Sequence, residues 1–121
     1  MNWTTILVIL GMVALTYAIQ RSRQISSKDA LTHLRNGARV IDVRSAAEFN
    51  SGHLSKALNL PLDKIEILLP RSVKDKNQVL LLHCQSGMRS GIAKARLKGL
   101  GYANVFNLGS YARAARIVSS R

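Results

Sequence analysis

Cysteine occurs once in the 121 residues, at position 84. That excludes an intramolecular disulfide framework and any cysteine-built zinc or iron–sulfur cage within one chain. The three histidines, at positions 33, 53 and 83, are scattered and lack metal-ligand spacing. Aromatic residues make up only 5% of the chain and no nucleic-acid motif is recognisable, so nucleic acid is not an expected partner. Acidic residues are also scarce: six stand against eighteen Lys and Arg, a net charge of +12. All of that excess lies after residue 20 and should attract anions such as phosphates, acidic lipid headgroups or small oxyanions. No internal repeat or low-complexity tract is visible. The length allows one small domain, alone or with an appendage.

The appendage is the N-terminus. Trp3 to Ile19 is an uncharged run within an uncharged stretch 1–20. A spanning helix needs about 20 apolar residues, so residues 1–20 are expected to form one transmembrane helix. Trp3 and Tyr17 stand near its ends, where aromatic rings favour the interface. A cleaved signal peptide fits less well, because no Lys or Arg precedes the run and Thr16-Tyr17-Ala18 is a weak cleavage site. The basic residues follow: Arg21, Arg23 and Lys28. They are expected to hold the C-terminal side in the cytoplasm, giving a single-pass inner-membrane protein whose domain is cytosolic. Residues 21–27 read as a short polar linker, and residues 28–121 as the domain.

Within that domain, helical and extended patterns alternate. Ser26 or Ser27 caps a helix that Asn36-Gly37 stops. Arg39 to Val43 is a β-branched run, hence a strand. Ser45 and Glu48 have the spacing of a capping box, so a short helix follows, broken at Gly52-His53. Ala57 to Leu60 is a second short strand. Residues 63–69 make a helical turn or two, closed before Pro70. Gln78 to His83 is apolar enough for a strand buried on both faces. Ser90 to Leu100 is helical, Asn104 to Leu108 extended, and Gly109 starts a last helix through Val118. Gly99 and Gly101 lack the third glycine of a dinucleotide fingerprint, since position 104 is Asn. The pattern gives an α/β fold with a mostly parallel central sheet flanked by helices.

In parallel sheets the working site lies beyond the C-terminal ends of the strands. Two segments fall there: Asp42-Val43-Arg44, and the loop from Cys84 through Gln85, Ser86, Gly87 and Met88 to Arg89. The loop feeds a helix N-terminus, which carries about half a positive charge. Its successive N–H groups can converge on an anion. Gly87 permits the backbone angles such a loop needs, and Arg89 adds a full charge. These features suit a thiolate at Cys84. His83 is the preceding strand residue and faces the other way, so it is a poor base for Cys84.

Cys84-Gln85-Ser86-Gly87-Met88-Arg89-Ser90 resembles the active-site loop of rhodanese-like sulfurtransferases. Val40 to Arg44, Glu48-Phe49, Gly52-His53-Leu54 and Ala57 to Pro61 resemble the family's N-terminal signature in the same order. The likeness covers about residues 25–118. Two departures stand out: Lys56 replaces the glycine usual before Ala57, and Gly109-Ser110-Tyr111 lacks the tryptophan of the C-terminal signature.

The resemblance implies a rhodanese-like domain in which Cys84 attacks the outer sulfur of a small anionic donor such as thiosulfate. A persulfide forms on Cys84 and passes to cyanide, a thiol or a protein sulfur acceptor. It implies no metal and no organic cofactor. The N–H groups of residues 85–89 would hold the persulfide, and Arg89 would steady the donor. Asp42, Arg44 and Ser90 would support the loop. Related phosphatases use Cys-x5-Arg, whereas this chain has Cys-x4-Arg with Ser90 at the phosphatase position. The competing class is a non-catalytic persulfide carrier or interaction module tethered to the membrane.

Overall fold

The computed structural model describes residues 2–121, with the side chains of residues 20–22 outside the description. Helix α1 (Trp3–Ser22) forms over the uncharged run, and Trp3, Leu7, Leu10, Met12, Val13, Leu15 and Tyr17 are exposed along it. Among the described residues, however, no helix is long and apolar enough to cross a membrane. The expected spanning helix is thus not supported. The described side chains of α1 run only from Trp3 to Ile19, against the about 20 apolar residues a span requires. The side chain of Arg21, expected to set the topology, lies outside the described residues.

Gln24 forms a parallel bridge with Asn107, and the Ile25 N–H donates to the Asn107 carbonyl at 2.9 Å. The polar stretch read as a linker therefore lies along the sheet edge. The domain then runs α2 (Ser27–Arg35), β1 (Arg39–Asp42), α3 (Ala46–Asn50), β2 (Leu58–Asn59), a 3₁₀ turn (Leu62–Lys64), α4 (Ile65–Ser72), β3 (Leu80–His83), α5 (Met88–Gly99), β4 (Val105–Gly109) and α6 (Tyr111–Ser119). The four strands pair in parallel in the order β2-β1-β3-β4. This is the α/β arrangement that the alternating pattern predicts.

The central strand β3 is buried at every position. Its residues alternate between two apolar layers, as the period of two along a strand requires. Leu80, Leu82 and Cys84 join Ile41, Val43, Leu69, Ala93, Leu97 and Tyr102 on the side of α4 and α5. Leu81 joins Val40, Ala30, Leu34, Leu108, Ala114 and Ile117 on the side of α2 and α6.

Three boundaries differ from those expected. Helix α4 continues through Pro70. Proline removes the hydrogen bond to the carbonyl four residues earlier. That carbonyl belongs to the exposed Glu66, where water can take it, and burial of Leu69 holds the helix on course. Helix α5 starts at Met88 rather than Ser90, because Gly87 caps it in the left-handed region at φ +96°. Gly109 ends β4 instead of opening α6, whose cap is the Ser110 side chain accepting from the Arg113 N–H.

Candidate functional site

The register of β1 and β3 pairs Asp42 with His83. The segment after β1 and the loop after β3 therefore leave the sheet side by side at its carboxyl edge. The two segments singled out in the sequence become one site.

Cys84 follows β3 directly and its side chain joins the α5 layer. Its sulfur accepts from the Gly87 N–H at 2.9 Å and lies 3.5 Å from the Ser90 hydroxyl. Burial pushes the thiol up. The Ser90 hydroxyl and the backbone N–H groups of Ser90, Gly87 and Ser86 more than offset that, so the net shift is below the ordinary cysteine value. The Ser90 hydroxyl has one proton and sits closer to the Asn107 Oδ1, at 2.7 Å. The Gly87 N–H is accordingly the firm donor to sulfur. The residue has no exposed surface, so an incoming donor has to displace part of its cover.

Asn107 organises this pocket from the neighbouring strand. Its Oδ1 accepts from Ser90 and from the Gly109 N–H at 2.9 Å, and its Nδ2 donates to the Gly87 carbonyl at 3.1 Å. The Gln24 amide reaches the same place: a Cβ built on Gly87 would meet its Nε2 at 3.2 Å. The sequence reading named neither residue. A polar side chain amid the apolar residues of β4 is the signal that marks Asn107.

Asp42 and Arg44 are both buried. The Asp42 carboxylate takes Arg44 Nε at 3.0 Å and Nη2 at 2.8 Å. Arg44 also donates to the Gly52 carbonyl at 2.8 Å and to Gln85 Oε1 at 3.4 Å, and lies 4.5 Å above the Tyr111 ring. One guanidinium thus ties together the end of β1, the turn after α3, the loop after β3 and the start of α6. Tyr111, of the departing C-terminal signature, serves as its lower face.

His83 is buried with its Nε2 3.7 Å from Asp42, and that nitrogen has no hydrogen-bond partner. Burial pushes its pKa down despite the nearby carboxylate. Its Nδ1 lies 3.3 Å from the Cys84 carbonyl, and its ring meets Tyr111 on the side away from the cysteine sulfur. His53 fixes a turn, with Nδ1 2.9 Å from the Phe49 carbonyl and its ring stacked on Phe49.

Arg89 does not point freely at the mouth. It makes a two-pronged ion pair with Glu48, at 2.6 and 2.9 Å. That bond, ahead of the local capping contacts, holds the Glu48 carboxyl down to about 2. Glu48 keeps its capping-box role with Ser45 as well. Gln85, Ser86 and Met88 are exposed around the loop. Among the described residues, no group of three or more His, Cys, Asp or Glu is placed to hold a metal.

The rhodanese-like domain family matches residues 26–113. The chain is 36% identical to the thiosulfate sulfurtransferase PspE of Escherichia coli K12 over 57% of this chain and 66% of that protein. It is 39% identical to a sulfurtransferase of Allochromatium vinosum, over 57% of this chain and 63% of the relative. A tRNA uridine(34) hydroxylase of Erwinia tasmaniensis is 33% identical over 63% of this chain and 24% of its own length. The chain therefore spans less than two thirds of each of these relatives. Among solved structures, a rhodanese with anions from E. coli superposes with a TM-score of 0.62 at 32% identity, covering 64% of this chain and 91% of that one. A human single-domain sulfurtransferase superposes at 0.66 with 27% identity, covering 78% and 96%. With the match extending from Ser26 to Arg113 and taking in the whole parallel sheet, this chain belongs to the rhodanese-like domain family.

Proposed function

We propose that this chain is a sulfurtransferase that carries sulfane sulfur on Cys84. The observation that carries the reading is the inward Gly87 N–H, 2.9 Å from the sulfur at the end of the buried central strand. Donors aimed at that point favour an anion, and a terminal persulfide sulfur is such an anion. The thiosulfate sulfurtransferase and sulfurtransferase relatives support the same chemistry.

In the proposed reaction the Cys84 thiolate attacks the outer sulfur of thiosulfate. A new S–S bond forms, the thiosulfate S–S bond breaks, and sulfite leaves with the electron pair. The persulfide then gives its outer sulfur to a nucleophile. Cyanide would leave as thiocyanate and return the Cys84 thiolate; a thiol acceptor would leave as a persulfide. The loop of Gln85, Ser86, Gly87, Met88 and Arg89 would form the cradle, with the Gly87 N–H meeting the sulfur. Ser90 supplies a hydroxyl beside the sulfur. Asp42 and Arg44 brace the loop. Arg89 meets the donor's oxygens when it exchanges Glu48 for them.

We further propose that the domain is held at a membrane by residues 1–20, on the cytoplasmic face. The exposed apolar side chains of α1 and the basic residues after it support this. A reporter fused after Arg121 tests it: activity on the opposite face overturns the orientation.

The purified full chain should release thiocyanate from thiosulfate and cyanide, and Cys84→Ser should release none. After thiosulfate alone, the peptide holding Cys84 should gain the mass of one sulfur atom. Thiocyanate release that survives Cys84→Ser overturns the proposal. Sulfur uptake from a protein donor, with none from thiosulfate, replaces it by the carrier reading.

A further inference from the structure

A cleft of about 460 Å³ lies behind the loop, on the side of α5 that faces the end of α1. Met88, Gly91, Ile92 and Ala95 floor it, with Gly87 and Asn107 at its inner end. Positions 88, 91, 92 and 95 share one helical face. The space exists because two of the four are small. Met88 and Ile92 keep their apolar side chains exposed there.

The rim carries Arg23, Lys94 and Lys98. None of the three takes part in an ion pair among the described residues. Among the described residues, no acidic side chain lines the cleft. Lys94 is held below its ordinary pKa first by burial and then by the positive charges of Lys98 and Arg23. Three cations that repel one another over an apolar floor lack a counter-charge. Arg23 follows directly on α1, whose exposed apolar side chains lead to the same rim.

We infer that this cleft binds a phosphate-headed amphiphile, with the phosphate between Arg23, Lys94 and Lys98 and the apolar tail along Met88 and Ile92. A phosphate takes several cationic donors at once. A tail covers the exposed side chains that a bare ion would leave in water. The inner wall is shared with the loop: Gly87, whose N–H faces the Cys84 sulfur, is also a cleft residue. A bound amphiphile therefore rests against the back of the sulfur cradle. The inference does not depend on the sulfur chemistry.

The test uses the full chain, labelled for NMR and held in nonionic detergent. Dioctanoyl phosphatidate is the probe, dioctanoyl phosphatidylcholine the same-tail control, and inorganic phosphate the head-only control. Phosphatidate should give saturable amide shifts over Gly91 to Lys98. In the double variant Lys94→Gln, Lys98→Gln its affinity should fall about tenfold, the factor that roughly 1.4 kcal/mol represents. Ala95→Leu, which fills the floor but leaves the charges, should weaken it similarly. Thermal melts of both variants check that the domain is intact. The same shifts in phosphatidate-containing nanodiscs assign the ligand to the bilayer; shifts confined to the soluble ester assign it to a free phosphate ester. Absence of saturable shifts, unchanged affinity in both variants, or inorganic phosphate binding as tightly as phosphatidate overturns the inference.

Discussion

Arg89 and Glu48 lie forty-one positions apart and meet through two parallel hydrogen bonds of 2.6 and 2.9 Å. The charge closest in sequence to the cradle is therefore already half-satisfied. An anionic donor must compete with Glu48 for it. Glu48→Gln should free the guanidinium and lower the KM for thiosulfate by roughly two- to fivefold, the scale of a half-exposed ion pair. Steady-state kinetics at constant ionic strength reads this, and an unchanged or raised KM contradicts it.

The same pair predicts a pH effect on stability. The Glu48 carboxyl is held down to about 2 in the folded chain, chiefly by Arg89, against an ordinary value of 4.5. A lowered carboxylate pKa contributes stability that is complete above the ordinary value and is lost as pH falls through the folded one. The difference in melting temperature between the wild-type chain and Glu48→Gln should hence be largest above pH 4.5 and shrink toward pH 2. A difference that grows on acidification has the wrong sign.

Ser90 tests the cradle. Ser90→Ala removes the hydroxyl beside the Cys84 sulfur, leaving burial opposed by fewer donors. The acid limb of the pH–rate profile should move upward, and thiolate absorbance should appear at higher pH than in the parent chain. A limb that stays in place would mean that backbone N–H groups alone set the thiolate.

Breaking the buried Asp42–Arg44 pair should cost about 3–5 kcal/mol, because removing either partner leaves the other charge buried. Asp42→Ala measured by urea unfolding reads the cost directly. Arg44→Lys keeps the charge but cannot reach Asp42, Gly52 and Gln85 together, so its loss of turnover should exceed its loss of stability.

Lys56 sits in the left-handed region at φ +66°, alone among non-glycine residues described. Such a conformation costs a side-chain-bearing residue roughly 1–2 kcal/mol. Lys56→Gly should stabilise the domain by about 1 kcal/mol, less any gain in unfolded-chain freedom. Equal or lower stability by urea unfolding contradicts the strain.

Lys56 also shows how the fold was legible. Its departure from the family pattern marks a backbone position that favours glycine, and the structure supplies the angle. The strand and helix order was readable because burial on both faces of β3 writes a continuous apolar run. Cap chemistry at Ser26, Ser45 and Glu48 was readable because it is local. What escaped was set by distance. Nothing in the sequence near Arg89 announces that Glu48 crosses to it, since the capping box already accounts for that glutamate. Asn107 and Gln24 come to the loop from distant positions, and two of the three Asn107 side-chain bonds go to backbone groups, which carry no sequence signature. Pro70 misled because its missing hydrogen bond falls on a wet carbonyl. The N-terminal run is uncharged, but its described side chains stop at Ile19, short of the about 20 residues a span needs.

Gln24 and Ile25 lie alongside β4 like a clasp, with Arg113 reaching the Ile25 carbonyl. This has a practical consequence for any shortened form of the chain. A version beginning just after Ser22 keeps the clasp shut. One beginning at Ser27 strips the border of the sheet, leaving β4 free to recruit a second molecule through its backbone.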